Sequence, residues 1–196
     1  MKRRDLLAMG IIAAFPSALL AAGEKKTPPE KKQAENETFD RDTVLHDAEE
    51  FFGKGAEGLG GVIEKAFKDN GRPNGYIKGQ EAAGAITVGL IYGDGTLVLK
   101  NAKPRHVFWS GPSIGFDLGA NASKVFVLVY NMTKPGSIFQ RFPAVDGSVY
   151  YVGGAGINYQ RRGGITLAPI RLGVGLRAGA SIGYVHYTPK KTYNPF

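Results

Sequence analysis

Residues 123–130 constrain the fold of this chain more than any other stretch. They read S-K-V-F-V-L-V-Y, and the β-branched and aromatic residues among them predict a strand. Alternate residues of a strand point to opposite faces, and here both sets are apolar: Val125, Val127 and Val129 on one side, and Phe126, Leu128 and Tyr130 on the other. Such a strand is covered on both faces, so we expect part of the protein to pack on each side of it.

The residues before this strand predict a partner for it. Ile114 to Leu118 reads as a second strand, and the Gly-Ala-Asn-Ala at 119–122 has the composition of a turn. We therefore expect a hairpin at the centre of a small β structure.

The chain after Tyr76 mostly alternates with period two, which is typical of half-buried strands. The Gly-Asp-Gly at 93–95 and the Arg-Arg-Gly-Gly at 161–164 predict tight turns, while residues 148–160 and 165–177 each predict one strand. No helix alternates with the strands, so the sheet should be antiparallel, and closing it would remove its edges. The predicted fold is mainly β, a small antiparallel β-barrel of about eight to ten strands with an N-terminal amphipathic α-helix packed on it.

One helix, or two joined helices, is predicted over residues 40–70, where apolar residues recur every three or four positions. Asp40 or Asp42 can cap its start. Five glycines lie between residues 53 and 61, and each glycine inside a helix costs about 1 kcal/mol relative to alanine. We expect the helix to be held by packing, bent, or broken near Gly60.

The N-terminal residues resemble an export signal. Lys2, Arg3 and Arg4 precede an apolar stretch, and small residues follow it. The Arg-Arg pair also resembles a twin-arginine signal, with an ordinary secretory signal as the alternative. The predicted division is a signal peptide at 1–22, a disordered linker at 23–38, an N-terminal helical segment at 39–71 and a β-barrel body at 72–196. We expect the protein in the periplasm.

Charge is distributed unevenly along the chain. The formal net charge is +8, and the part after residue 71 is strongly basic, whereas residues 24–71 are acidic on balance. A basic body favours an anionic partner, and the alternative is that its charge serves solubility and packing of the acidic arm. The candidate basic face consists of Arg161, Arg162, Arg171 and Arg177, with anionic lipid or lipopolysaccharide as the expected partner. Export argues against nucleic acid.

One motif could carry catalysis. Residues 111–115 match G-x-S-x-G with Ser113 at the centre, and Asp146 and His186 follow in the order of an α/β-hydrolase. The nucleophile elbow of those enzymes needs a strand, a sharp turn and then a helix, whereas a strand and a turn are predicted after Ser113. A serine hydrolase is therefore the weaker alternative, and we expect no enzymatic activity.

The sequence indicates neither a cofactor nor a metal site. A G-x-G-x-x-G match at 53–58 follows a helix instead of a strand, so it does not fit dinucleotide binding. His46, His106 and His186 lie on different predicted elements, and the chain has no cysteine. We expect no cofactor and no metal.

Several stretches resemble the EipA family of envelope-integrity proteins, a domain-of-unknown-function group from α-proteobacteria. They read A-E-E-F-F-G-K-G-A-E-G-L-G, W-S-G-P-S-I-G-F-D-L-G, K-V-F-V-L-V-Y-N, I-F-Q-R-F-P, G-S-V-Y-Y-V-G-G and H-Y-T-P-K-K-T-Y-N-P-F. The resemblance covers nearly all of 39–196 and implies a periplasmic small β-barrel that supports envelope integrity, without a known active site to carry over. A looser similarity to SYLF lipid-binding domains, in G-A-I-T-V-G and W-S-G-P, would imply lipid contact.

The predicted function is that of a non-enzymatic periplasmic protein that binds an envelope component: anionic lipid, lipopolysaccharide, peptidoglycan or an envelope protein. An outer-membrane β-barrel is a structural alternative, because the chain ends in Phe196 after several alternating strands. Pro189, Pro195 and the Lys190-Lys191 pair argue against it, as does the amphipathic helix.

Overall fold

The computed structural model describes residues 37–53, 56–84, 89–113, 122–173 and 183–192. Within these residues two helices come first, α1 (Arg41–Phe52) and α2 (Leu59–Asn70). Ten strands follow, with a 3-10 turn (Pro135–Ile138) between the fourth and the fifth. The strands are β1 (Gly75–Gly84), β2 (Gly89–Leu99), β3 (Arg105–Ser113), β4 (Ser123–Tyr130), β5 (Arg141–Pro143), β6 (Tyr150–Val152), β7 (Ala155–Ile157), β8 (Gln160–Arg162), β9 (Ile165–Leu172) and β10 (Tyr184–Thr188).

All strand pairs are antiparallel, and together they form one curled sheet. Its order is β5-β10-β3-β2-β1-β4-β9-β7-β6, and β8 pairs with the first half of β9. The sheet curls until β5 approaches β8, where Ala144 and Gln160 form an isolated bridge and Arg162 donates a hydrogen bond to the carbonyl oxygen of Arg141. The prediction of a small antiparallel barrel with a helical segment packed on it is confirmed.

Strand β4 is covered on both faces, as its sequence predicts. Val125, Val127 and Val129 belong to the core inside the barrel, together with Ile77, Ile91 and Trp109. Phe126, Leu128 and Tyr130 belong to a second core between the sheet and the helices, where they meet Val44, Val62 and Ile63. Because β4 joins the two cores, it is the structural centre of the molecule.

The helical segment consists of two helices, and the break lies earlier than Gly60. Asp40 caps α1, since its side chain accepts a hydrogen bond of 2.9 Å from the backbone N–H of Thr43. Gly53 follows α1 with a φ of 114° and Gly58 precedes α2 with a φ of 75°. These backbone angles favour glycine, so the glycines end one helix and start the next.

The Gly-Asp-Gly at 93–95 is not a turn. Strand β2 runs straight through it, and the chain reverses instead between Gly84 and Gly89, because Gly84 is paired with Leu90. Gly93 lies against the indole ring of Trp109, which occupies the space that a side chain would need. Glycine at this position makes room for the indole ring, so the Gly-Asp-Gly sequence does not mark a turn.

The hairpin predicted for β4 is also wrong, because β1 occupies one edge of β4 and β9 the other. Its predicted partner, residues 114–118, lies outside the described residues. The single strand predicted over 148–160 is instead the hairpin β6–β7 followed by β8, with a turn at Gly153 and Gly154. The turn predicted at 161–164 is confirmed, with positive φ at Gly163 and Gly164 between β8 and β9.

The predicted signal peptide and most of the predicted linker, residues 1–36, lie outside the described residues, and both stay predictions. Among the described residues, neither helix has the length and apolar character needed to cross a membrane.

Candidate binding surfaces

Three connections meet at the end of the barrel where β1 begins. They are residues 100–104 between β2 and β3, 131–140 between β4 and β5, and the turn 163–164 between β8 and β9. The strand register places them together, because Gly75 pairs with both Leu99 and Val129, and Tyr130 pairs with Thr166.

Side chains tie these connections to one another. The Asn74 amide donates to the carbonyl oxygen of Met132 at 2.6 Å, and the backbone N–H of Lys100 donates to the carbonyl oxygen of Asn74 at 3.0 Å. Asn131 donates to the carbonyl oxygen of Gly164 at 3.4 Å. The loops therefore form one continuous surface.

Exposed basic residues dominate this surface, which we call the basic end. Its cations are Lys100, Lys103, Arg105, Lys134, Arg141, Arg161 and Arg162. The three connections and the strand ends that carry these cations contain no acidic residue. A carboxyl group outside these segments, that of Glu37, lines a depression of about 240 Å³ beside Lys100.

Aromatic rings and polar groups hold several of these cations in place. The guanidinium groups of Arg105 and Arg141 lie over the rings of Phe139 and Tyr184, at 5.5 and 5.4 Å from the ring centroids. Arg161 donates a hydrogen bond of 3.1 Å to the side-chain oxygen of Asn70. Across the part of the chain that is described, none of the seven cations forms an ion pair, so their charge faces the solvent.

The structure divides the predicted basic face. Arg161 and Arg162 are exposed at the basic end, beside five cations that sequence reasoning did not select. The placement of Arg171 on an exposed face is wrong, because its side chain is buried inside the barrel. Arg177 lies outside the described residues.

Arg171 instead belongs to a buried polar cluster inside the barrel. Arg171 is 4% exposed and Glu81 is 3% exposed. Two guanidinium nitrogens of Arg171, Nε and Nη2, donate to the two carboxylate oxygens of Glu81 at 2.7 and 2.9 Å. Trp109 Nε1 donates to Glu81 Oε1 at 2.9 Å, and Arg171 Nη1 contacts Asn158 Oδ1 at 3.4 Å. Both charges are thereby compensated in the barrel core.

The Tyr187 side chain lies beside this cluster and packs on Trp109, with the ring centroids 5.6 Å apart. Burial raises the pKa of the Tyr187 hydroxyl well above its usual value, and the negative charge of Glu81 adds to that shift. The hydroxyl therefore stays neutral at physiological pH, and the cluster contains one compensated pair of charges.

The residues of the hydrolase motif are not assembled into a triad. His186 is paired with Ser110, three residues from Ser113 along β3, which corresponds to about 10 Å of strand. Asp146 is exposed in the connection between β5 and β6. Burial lowers the pKa of His186 below its usual value, and the positive charge of Arg141 lowers it further.

Within the described residues, no three histidine or acidic side chains come close enough together to hold a metal ion. The imidazole of His106 lies 3.4 Å from one carboxylate, that of Asp94, and two such groups do not make a metal site.

Comparison with known proteins gives a family and a structural relative. The model of the family described as Envelope integrity protein A matches residues 37–196. A crystal structure of a β-barrel-like, uncharacterized protein from Brucella abortus is similar, with a TM-score of 0.76 and 43% sequence identity. The similarity covers 82% of this chain and 99% of that one. No curated protein matches the chain.

Proposed function

Because the match spans residues 37–196, this chain belongs to the envelope integrity protein A family, and we propose that it supports the cell envelope as a non-enzymatic periplasmic protein that binds an anionic envelope component. The basic end is the observation that carries the proposal. Phosphate groups of anionic lipid or of lipopolysaccharide are the chemistry it suits best, because lysine and arginine are the residues that bind phosphate.

The geometry favours binding to an extended anionic surface over binding of a single small ion. The seven cations come from separate loops and point to solvent around one end of the barrel. Each lysine or arginine close to an anionic membrane contributes about 1 kcal/mol, and the attraction weakens within a Debye length. Several cations at one end would therefore bind and orient the protein on an anionic surface.

Charge reversal tests this proposal. We expect the double variant Lys103→Glu/Lys134→Glu to bind phosphatidylcholine vesicles containing phosphatidylglycerol about tenfold more weakly than the unchanged protein, or weaker still, since two favourable contacts become repulsive. Cosedimentation at low and high salt measures the loss, and purified lipopolysaccharide provides a second anionic probe.

The matched control is Lys124→Glu, compared with the single variant Lys103→Glu. Both change the net charge by the same amount, and Lys124 is exposed near the start of β4, away from the basic end. We expect this control to retain most of the binding. Equal losses in the two variants would contradict a role of the basic end, and an unchanged protein that binds neither vesicles nor lipopolysaccharide would contradict the proposal as a whole.

The proposed lack of enzymatic activity has a separate test. Because His186 on β10 pairs with Ser110 and not with Ser113, we expect a fluorophosphonate probe not to label the protein, with chymotrypsin as the positive control. Labelling that disappears in Ser113→Ala would contradict this expectation and favour the hydrolase alternative.

The outer-membrane alternative receives no support from the side chains on the outer face. Lipid-facing strands carry an apolar band, whereas β1, β2 and β3 carry the polar side chains of Lys78, Asp94 and His106 on their outer face. Another part of the outer face is covered by the two helices.

A further inference from the structure

The outer face of β1, β2, β3 and β10 carries polar and aromatic side chains in register. Gln80, Asp94, Phe108 and Thr188 form one cross-strand row. Lys78, Thr96 and His106 form the row on one side of it, and Ala82, Tyr92 and Ser110 form the row on the other. These residues alternate with interior ones such as Ile77, Ile91 and Val107, so they point away from the barrel interior, although Ser110 is itself buried there.

Two adjoining cavities lie on this face. One of about 520 Å³ is lined by Gln80, Tyr92, Asp94, Phe108 and Thr188, among others. The second, of about 330 Å³, shares Gln80 and Asp94 with the first and extends to Thr96. We call this continuous depression the outer groove, defined by Gln80, Tyr92, Asp94, Thr96, Phe108 and Thr188. Its three rows span about 14 Å along the strands.

We propose that the outer groove binds an uncharged oligosaccharide. Tyr92 and Phe108 are only partly buried and offer ring surface on which the C–H face of a sugar can pack. The sugar hydroxyls need both donors and acceptors. Asp94 accepts, and so does the Thr188 hydroxyl, because its hydrogen is donated to the carbonyl oxygen of Lys190 at 2.8 Å. The Gln80 amide and the Thr96 hydroxyl can donate as well as accept. Aromatic rings flanked by hydrogen-bond donors and acceptors are suited to binding a sugar chain.

Charge distinguishes this groove from the basic end. Lys78 is paired with Asp47 at 3.0 Å, and the His106 imidazole lies 3.4 Å from the Asp94 carboxylate. Lys124 and Lys191 also line the two cavities, so charges of both signs lie together there. A ligand rich in hydroxyl groups gains more from such a surface than an anion does. This proposal is therefore independent of the one for the basic end.

The chain contains its own reporter for this site. Trp109 is the only tryptophan, and its indole ring packs behind Gly93 at the floor of the larger cavity. A sugar bound over Gly93 would change the surroundings of that ring, so its fluorescence should follow binding.

The experiment titrates cellotetraose and chitotetraose into the protein while Trp109 emission and the heat of binding are recorded. We expect a saturable change with one or both sugars. Tyr92→Ala and Phe108→Ala should each weaken binding by about tenfold or more, because each removes a ring that packs on the sugar. Asp94→Asn, which keeps the size of the side chain, should also weaken it.

Tyr151→Ala is the matched control, since Tyr151 is a half-buried aromatic residue on β6, far along the sheet from the groove. It should bind sugar as the unchanged protein does, and thermal unfolding confirms that all variants are folded. Binding of neither sugar, or equal losses in Tyr151→Ala and Tyr92→Ala, would overturn the proposal. Lys103→Glu/Lys134→Glu should leave sugar binding unchanged, so the two proposals can fail separately.

Discussion

Replacing Arg171 by methionine should lower the free energy of unfolding by about 3–5 kcal/mol. The substitution leaves the Glu81 carboxylate inside the barrel without the two guanidinium hydrogen bonds of 2.7 and 2.9 Å that compensate its charge. The indole N–H of Trp109 would then be its remaining described side-chain partner. A single neutral donor does not offset the desolvation of a buried carboxylate, so the loss should exceed that of an ordinary core substitution.

Urea denaturation followed by circular dichroism measures this loss. The double variant Glu81→Leu/Arg171→Met removes both charges and should recover much of the stability, because replacing a buried ion pair by apolar groups is often close to neutral. Arg162→Met is the control, since Arg162 is exposed and donates only to a backbone carbonyl, and it should stay within about 0.5 kcal/mol of the unchanged protein. An effect of Arg171→Met no larger than that of the control would show that the pair does not stabilise the barrel.

Arg171 also shows what strand periodicity reveals and what it leaves open. The alternation in β9 correctly separates Arg171 from Ala168 and Ile170, which pack under the helices. It does not indicate which of the two faces is the interior, because both faces of β9 are covered in the folded protein. The partner Glu81 lies 90 residues away in sequence, and only the curled sheet brings the two side chains together.

The sequence predicted that the body of the protein is basic, but it did not predict where most of the clustered cations lie. Arg161 and Arg162 adjoin a turn that the Gly-Gly pair specifies locally, and this turn is present as predicted. Lys100, Lys103 and Lys134 lie on other connections, and their proximity to that turn depends on the strand order. Strand order is a long-range property that local turn chemistry does not encode, so sequence reasoning selected two of the seven cations.

Glycine has two different roles in these strands and turns, and composition alone does not distinguish them. Gly153, Gly154, Gly163 and Gly164 adopt positive φ in tight turns, as their sequence context suggests. Gly93 has no positive φ and lies inside β2, where it makes room for a neighbouring ring. The difference lies in what packs against the residue, which becomes apparent only when Trp109 on β3 is placed beside β2.

Gly93→Ala should therefore be destabilising by about 1–3 kcal/mol, even though alanine favours regular structure more than glycine does. A Cβ at this position would overlap the indole ring of Trp109, and that ring cannot move freely because it is buried and donates a hydrogen bond to Glu81. The barrel interior is close-packed, so the ring or the strand must shift. Urea denaturation gives the loss in stability, and Trp109 emission reports the displacement of the ring.

Gly60→Ala provides the matched substitution in α2, where nothing lies within 4 Å of the new Cβ. It should stabilise the protein by about 0.5–1 kcal/mol, because the helix gains a better helix former at an exposed position. In the background Trp109→Leu, which removes the ring, the loss caused by Gly93→Ala should shrink markedly. If the loss were unchanged in that background, the contact with the indole ring would not be the reason for the glycine. The coupling energy between Gly93→Ala and Trp109→Leu thus measures how much the packing of Trp109 depends on having glycine at position 93.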